Sequence, residues 1–302
     1  MTAYDRSRAF IYRNARPLDL ARWRYAFEGG PREDVLTALA AYQNADGGFG
    51  HALEADCWNP DSSPIQTWKA TEILGEIGMD EPGHPVVRGI LRYLASGADF
   101  DGHLWPKYVP GNNDHPGAPW WRFDPEQTSD YNPTAALAGF ILRFADRESG
   151  LYALGCRIAR EACAHLMQHP GQTAMHTIAC YVQLYGDLQR AKADVGIDLP
   201  ALAAQLSAEI GRLITRDVSV WAADYVCKPS LFITGKDSPF YAENRDVAEA
   251  ECRFIERTQE RDGTWAITWQ WDAYPEAWAV SKNWWKSDVI IGNLRFLKAI
   301  QE

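Results

Sequence analysis

Three carboxylates carry the residue types for acid and base work. Glu54 and Asp56 lie two residues apart in His51-Ala-Leu-Glu-Ala-Asp-Cys-Trp-Asn-Pro-Asp61, and Asp130 lies in Ser129-Asp-Tyr-Asn132. A carboxyl desolvated beside tryptophan is raised in pKa and serves as a general acid, and two facing carboxylates divide the acid and base roles. Tryptophan is concentrated in the same stretches. Ten of the 13 fall in three segments, one with Trp58, one with Trp105, Trp120 and Trp121, and one with Trp265, Trp269, Trp271, Trp278, Trp284 and Trp285. The candidate catalytic set is therefore Glu54, Asp56 and Asp130. Candidate substrate contacts are His51, Trp58, His103, Trp120, Trp121, Arg122, Tyr131, Trp278, Lys282, Trp284 and Trp285. Each has an ordinary structural alternative: Glu54 and Asp56 tie down a loop by hydrogen bonds, Asp130 and Asp61 cap helices, and the tryptophans brace long connections. His176 reads as a hydrogen-bonded residue inside a helix rather than a ligand.

Residues placed this way need elements to hold them, and a phrase that occurs twice says which. Gln43-Asn-Ala-Asp-Gly-Gly-Phe49 and Gln259-Glu-Arg-Asp-Gly-Thr-Trp265 both fit Gln-x-x-Asp-Gly-x-aromatic. Each closes an amphipathic helix and then turns: Asp-Gly supplies a residue tolerant of positive φ, Gln offers an amide to loose backbone groups, and the aromatic wedges between helices. Such a phrase is a clip, and two copies imply a repeat.

Helix-period patterning fills the space between the clips. Pro31 to Asn44 reads as a half-solvated helix, and Pro64 to Gly78 as its buried partner, with Pro in the first turn and Gly as the stop. Val86 to Ser96 runs into a degraded clip at Asp99-Phe-Asp-Gly102, and Asn132-Pro133 opens a helix apolar on every side, hence buried all round. Further rounds follow over Leu151 to Gln168 with Thr173 to Tyr185, and over Leu199 to Arg216 with a partner near Ser230. The last pairs Arg245 to Gln259 with a helix opening at Ser287-Asp288. With Arg6 to Asn14 and Leu18 to Phe27, the chain holds about six hairpins of roughly 50 residues each, a period proper to repeat architectures. No terminal helix has a polar outer face of the kind an open stack needs, so the expectation is an all-α, closed α/α toroid forming a single domain over residues 1–302.

The clips and the stretch Ser63-Pro-Ile-Gln-Thr-Trp68 to Ile77-Gly78 resemble the repeats of terpenoid cyclases and protein prenyltransferase β subunits, the α/α-toroid superfamily with prenyltransferase and squalene-cyclase type repeats. The resemblance implies a central cavity whose mouth is formed by the connections after each clip, and an isoprenoid, diphosphate-bearing or similar apolar substrate. The families' catalytic patterns are missing: there is no Asp-x-Asp-Asp acid and no Asp-Asp-x-x-Asp magnesium site, and Asp224-Tyr-Val-Cys227 supplies only two of the residue types that hold zinc in prenyltransferases. No metal and no cofactor is assigned.

Charge and composition narrow the partners. A net charge of -10 lacks the basic face that nucleic acid or an anionic membrane requires. No stretch approaches the ~20 apolar residues of a membrane span, and no secretion signal opens the chain, so a cytoplasmic location is expected. The six cysteines show no Cys-x-x-Cys spacing and read as reduced thiols. Three readings of function stay open: a protein that binds or transforms an isoprenoid, with Arg122, Lys282 and Lys286 on a diphosphate; a carbohydrate-active enzyme using Glu54, Asp56 and Asp130; and a non-catalytic module gripping a peptide or small ligand.

Overall fold

The computed structural model of the chain describes residues 2–192 and 194–302. Among them the regular structure is helical, with eleven α-helices and no strand: α1 (Ala3–Asn14), α2 (Pro17–Phe27), α3 (Arg32–Ala40), α4 (Pro64–Glu76), α5 (Pro85–Ser96), α6 (Thr134–Phe144), α7 (Gly150–Gln168), α8 (Met175–Ala191), α9 (Leu199–Leu213), α10 (Arg245–Thr258) and α11 (Pro275–Gln301). Contacts cluster into two compact units, Leu39–Glu209 and Met1–Ala38 with Ile210–Glu302.

The unit Leu39–Glu209 is built around α6. Every residue of this helix except Arg143 is buried, and it packs against α4, α5, α7 and α8. Leu137, Phe140, Ile141 and Leu142 each contribute about 1.5–3 kcal/mol by leaving water, which is why a helix with no polar face is stable only in this central place. Arg143 is the exception with a purpose. It pairs with the buried Asp187 of α8 at 3.5 Å and donates to the carbonyl of Met79. Ser63 caps α4 by accepting from the backbone of Gln66, and Pro64 sits at its first position, where the missing N–H costs nothing.

In the unit Met1–Ala38 with Ile210–Glu302, α11 packs on α1, α2 and α10. A buried ionic network fixes α2 within it: Asp19 takes Arg16 at 2.8 Å and Arg22 at 3.0 Å, and Arg22 reaches Asp288 of α11 at 2.7 Å.

The two clips are built alike, each inside its own unit. After α3, the Gln43 amide donates to the carbonyls of Gly47 (2.9 Å) and Val86 (3.0 Å), the latter in the first turn of α5. After α10, the Gln259 amide donates to the carbonyls of Gly263 (3.2 Å) and Ala3 (2.9 Å), the latter in the first turn of α1. Gly47 and Gly263 have φ of +99° and +92°, and a Cβ on either would strike helix backbone, at Gly89 in α5 or at Arg6 in α1. Glycine is required there twice over, for the turn and for the close approach. Phe49 and Trp265 are the buried wedges, and Trp265 donates to the Ile255 carbonyl at 2.9 Å.

Two elements depart from expectation. The chain near Ser230 forms a single 3-10 turn, Pro229–Leu231, in place of a partner helix. Only five residues separate Pro229 from Gly235, too few for a stable helix, and the turn is held instead by Glu251. This carboxylate is 1 % exposed and accepts from the Ser230 N–H (2.8 Å) and hydroxyl (2.6 Å). The last helix opens at Pro275 rather than Ser287, because the run 275–291 holds no glycine and no proline after its first residue. Its apolar and polar residues alternate around the axis, which hides the helical period. Trp278, Lys282, Trp284 and Trp285 therefore stand on a helix and not in a connection.

Candidate functional site

The Glu54 turn begins with an unusual backbone. His51 and Ala52 both take φ of 59°, a left-handed conformation that costs a non-glycine residue roughly 1 kcal/mol or more and persists only where neighbours fix it. They are fixed by His51 N–H to the Asn59 carbonyl (3.0 Å), Leu53 N–H to Gln66 Oε1 (3.0 Å), and the His51 ring nitrogen beside Asn44 Oδ1 (2.9 Å). The winding leaves the His51 ring in solvent and turns Glu54 and Asp56 inward, at 6 % and 1 % exposure. Asp56 N–H donates to Glu54 Oε2 at 2.9 Å. The two carboxylates thus share one buried turn.

The connection between α5 and α6 docks on this turn. Trp58 N–H donates to the Pro116 carbonyl (3.1 Å) and Ala118 N–H to the Asp56 carbonyl (2.9 Å). Trp58 also closes its own segment through Nε1 to the Ala55 carbonyl at 3.2 Å. The docking leaves Trp120 and Arg122 exposed and Trp121 half-buried. Burial, then the neighbouring Asp56 charge, push the Glu54 carboxyl up to about 8, against the opposing Asp56 N–H, Lys69 and the Trp121 indole. The Trp121 N–H is close enough to influence Glu54, yet it closes no hydrogen bond of normal geometry. Beside it is a cavity of about 10 Å³, walled by Cys57, Asn112, Trp121 and Arg122, the size of about one water. At neutral pH this turn holds a buried, protonated acid.

A larger opening, of about 430 Å³, is lined by His103, Leu104, Ser129, Asp130, Tyr131 and His165. Asp130 sits just before α6 with a side chain 41 % exposed, and it is held from three directions. Its Oδ1 accepts from Asn132 N–H (3.0 Å) and pairs with Lys107 (3.4 Å), and its Oδ2 accepts from the Thr177 hydroxyl of α8 (2.9 Å). The Asn132 bond is a local turn bond; the residue that caps α6 is Pro133. His103 Nδ1 donates to Glu161 of α7 (3.1 Å), which Arg157 also holds at 2.8 Å. The Tyr131 ring lies 5.2 Å from the His165 ring and 6.1 Å from that of Tyr181. Four of the seven histidines gather in this region: His103, His165, His169, whose ring is 4.4 Å from that of His165, and His176, which feels the charges of Lys107 and Asp130.

The electrostatics favour a neutral imidazole at His165 and at His176. Burial first and His169 second lower the His165 pKa against the pull of Asp130. Burial and then Lys107 do the same to His176. Burial, with Glu161 behind it, raises the Tyr131 phenol. The Glu161 carboxyl is raised by burial but lowered further by the bonds from Arg157 and His103, so it ends below its usual range. At pH 7 the pocket offers a neutral imidazole able to take a proton and a phenol able to give a hydrogen bond.

The structure thus brings Glu54 and Asp56 together with Trp121, and His103 and Asp130 together with Tyr131. In the other unit, Trp278 packs on Trp271 (5.6 Å), Trp285 on Trp269 (5.2 Å), Arg16 covers Trp284 (5.0 Å) and Lys282 is exposed. Lys286 pairs with Asp262 at 3.4 Å. Trp105, Trp265 and Trp271 are core residues, and no tryptophan lines the 430 Å³ pocket. Glu161, His165 and Thr177 belong to the site but stand on helices, so a reading by loops misses them, and Lys107 lies in the α5–α6 connection without a signal of its own. One signal points to two of them: Glu161 and His165 lie four residues apart on one face of α7, and His169, the residue that ends the helix, continues the interval. Among the described residues no group of three His, Cys, Asp or Glu side chains is arranged to hold a metal ion, and no helix is long and apolar enough to cross a membrane. Compared with protein-family models, curated proteins and solved structures, the chain finds no significant match, so the resemblance to terpenoid cyclases and prenyltransferases rests on its clips.

Proposed function

We propose that this protein binds a small polar molecule in the Asp130 pocket and acts on it by proton transfer. The observation that carries this reading is the pocket itself: about 430 Å³, within the range of ligand sites, with a carboxylate, two imidazoles, a hydroxyl and a phenol converging on one space. His165, kept neutral by burial, is the general base; Tyr131 is the hydrogen-bond donor; Asp130, fixed by Lys107 and Thr177, orients the ligand. An isoprenoid chain fits this lining less well, since Leu104 is its one aliphatic residue.

The helices are proposed to form an α/α toroid of the terpenoid-cyclase type. What supports this is the second clip, which seats on α1 as the first seats on α5, so that the first helix of the chain serves as the next helix after the last clip. An open stack has no reason to join its ends in this way.

The test of the pocket is a screen of small polar fragments by saturation-transfer NMR against the protein and a Leu104→Trp variant that fills the space. Hits on the parent that vanish in the variant are expected. Hits that bind both proteins equally would refute the assignment.

A further inference from the structure

We infer that the ligand of the Asp130 pocket is an uncharged, hydroxyl-rich molecule of the carbohydrate class. This deepens the proposed function and rests on its placement of the site.

The argument is one of charge balance. The two cations tied to the lining are each matched by a carboxylate already in the wall: Lys107 by Asp130 at 3.4 Å, and Arg157 by Glu161 at 2.8 Å. Glu161 also accepts a hydrogen bond from His103 Nδ1. A phosphate or diphosphate entering here would find its counter-charges engaged and would meet the Asp130 carboxylate at close range, a repulsion that a partly dehydrated site strengthens. An ammonium ligand would face Lys107 in the same way.

What the wall leaves unused is hydrogen-bonding capacity without net charge. Asp130 Oδ2 has one partner, Thr177, so a lone pair remains for a ligand hydroxyl. The His103 ring uses Nδ1 on Glu161 and keeps Nε2. Among the described residues the His165 ring makes ring contacts, with Tyr131 and His169, and no hydrogen bond, and a neutral imidazole presents one donor and one acceptor. A sugar hydroxyl both donates and accepts, so it satisfies either kind of group. The Tyr131 ring supplies an apolar face of the kind on which a sugar's C–H groups pack.

The inference yields an exchange of specificity. Asp130→Asn removes the carboxylate and leaves Lys107 unmatched, which turns a balanced pocket into a cationic one. Binding is measured by calorimetry at neutral pH with glucose, galactose, mannose, xylose, maltose and cellobiose as neutral probes and inorganic pyrophosphate as the anionic one. The parent should bind at least one sugar saturably and pyrophosphate not at all. Asp130→Asn should lose about tenfold or more of the sugar affinity, the loss of one charge-assisted hydrogen bond, and gain pyrophosphate binding. Thr177→Val, which frees Oδ2 without altering charge, should change sugar affinity and leave pyrophosphate unbound, and it serves if the Asn variant does not fold. Pyrophosphate binding by the parent that Leu104→Trp abolishes would overturn the carbohydrate class and leave the pocket standing. If none of the sugars binds the parent while polar fragments do bind at Leu104, the class falls alone; if neither binds, the site falls with it.

Discussion

Glu54→Gln should make the protein more stable in alkali, by an amount that grows with pH. In the unfolded chain this glutamate ionises near its ordinary value of 4.5, whereas in the folded protein burial beside Asp56 holds the proton until about 8. Between those two values unfolding releases a proton. Stability is therefore fullest below about pH 4.5, falls by roughly 1.4 kcal/mol for each pH step above it, and levels off above about 8. The whole loss is about 5 kcal/mol, an order-of-magnitude figure comparable to the entire stability of many domains. Glutamine keeps the carbonyl oxygen that accepts from Asp56 N–H and has no proton to lose. Urea unfolding of the two proteins at about pH 5, 7 and 9 measures the difference. Glu251, pushed up to about 7, and Asp187, pushed up to about 6, add slopes of the same sign, but they are common to both proteins and cancel in the comparison. The variant should gain by several kcal/mol from about pH 5 to 9. A stability difference independent of pH over that range would show that Glu54 is ionised in the fold, and the account of its turn would be wrong.

The other expectations concern the frame. Gly263→Ala places a methyl against the backbone of Arg6 at a φ of +92° and should cost at least about 2 kcal/mol in urea unfolding, while Gly292→Ala, in α11 with nothing within 4 Å, should be neutral or stabilising by up to about 1 kcal/mol. Equal effects at the two positions would mean that the clip does not seat on α1 as described. Arg143→Met strips Asp187 of its nearest cation and should cost about 3 kcal/mol at pH 8, an effect that shrinks as the pH falls to about 6 and is smallest below it, where the carboxyl is protonated in both proteins; a loss that is the same at pH 5 and 8 would argue against a buried ionic contact.

How much of this was legible in the sequence differs by element. The clips were read from residue types alone, because their geometry is local: a Gln amide reaches a carbonyl four residues on, and an Asp-Gly turn needs no distant partner to form. The run Thr134 to Leu142 was legible for a related reason, since a helix without a polar face has nowhere to go but inside. The start of α11 was hidden, because a helix that presents mixed faces gives no period to read, and the turn at Ser230 was hidden because its stability comes from Glu251, 21 residues away. At the site, Asp130, His103 and Tyr131 were named from their segments; Lys107 lay in the same Trp105 segment but has no acid-base signature of its own, and Thr177 and His165 came from helices outside the tryptophan-rich segments.

The sequence by itself determined an all-helical chain, the turns that close α3 and α10, and the burial of α6 on every side, for these follow from backbone preference and the penalty for exposing apolar surface. It also determined that Glu54 and Asp56 would be neighbours. Only the tertiary structure decided that they face inward, under the docked connection that carries Trp121, so that one of them keeps its proton, and that Asp130 opens onto a pocket instead. The reason is physical: a carboxyl's proton affinity and a pocket's charge balance are set by groups far apart in the chain, brought within a few ångströms by packing.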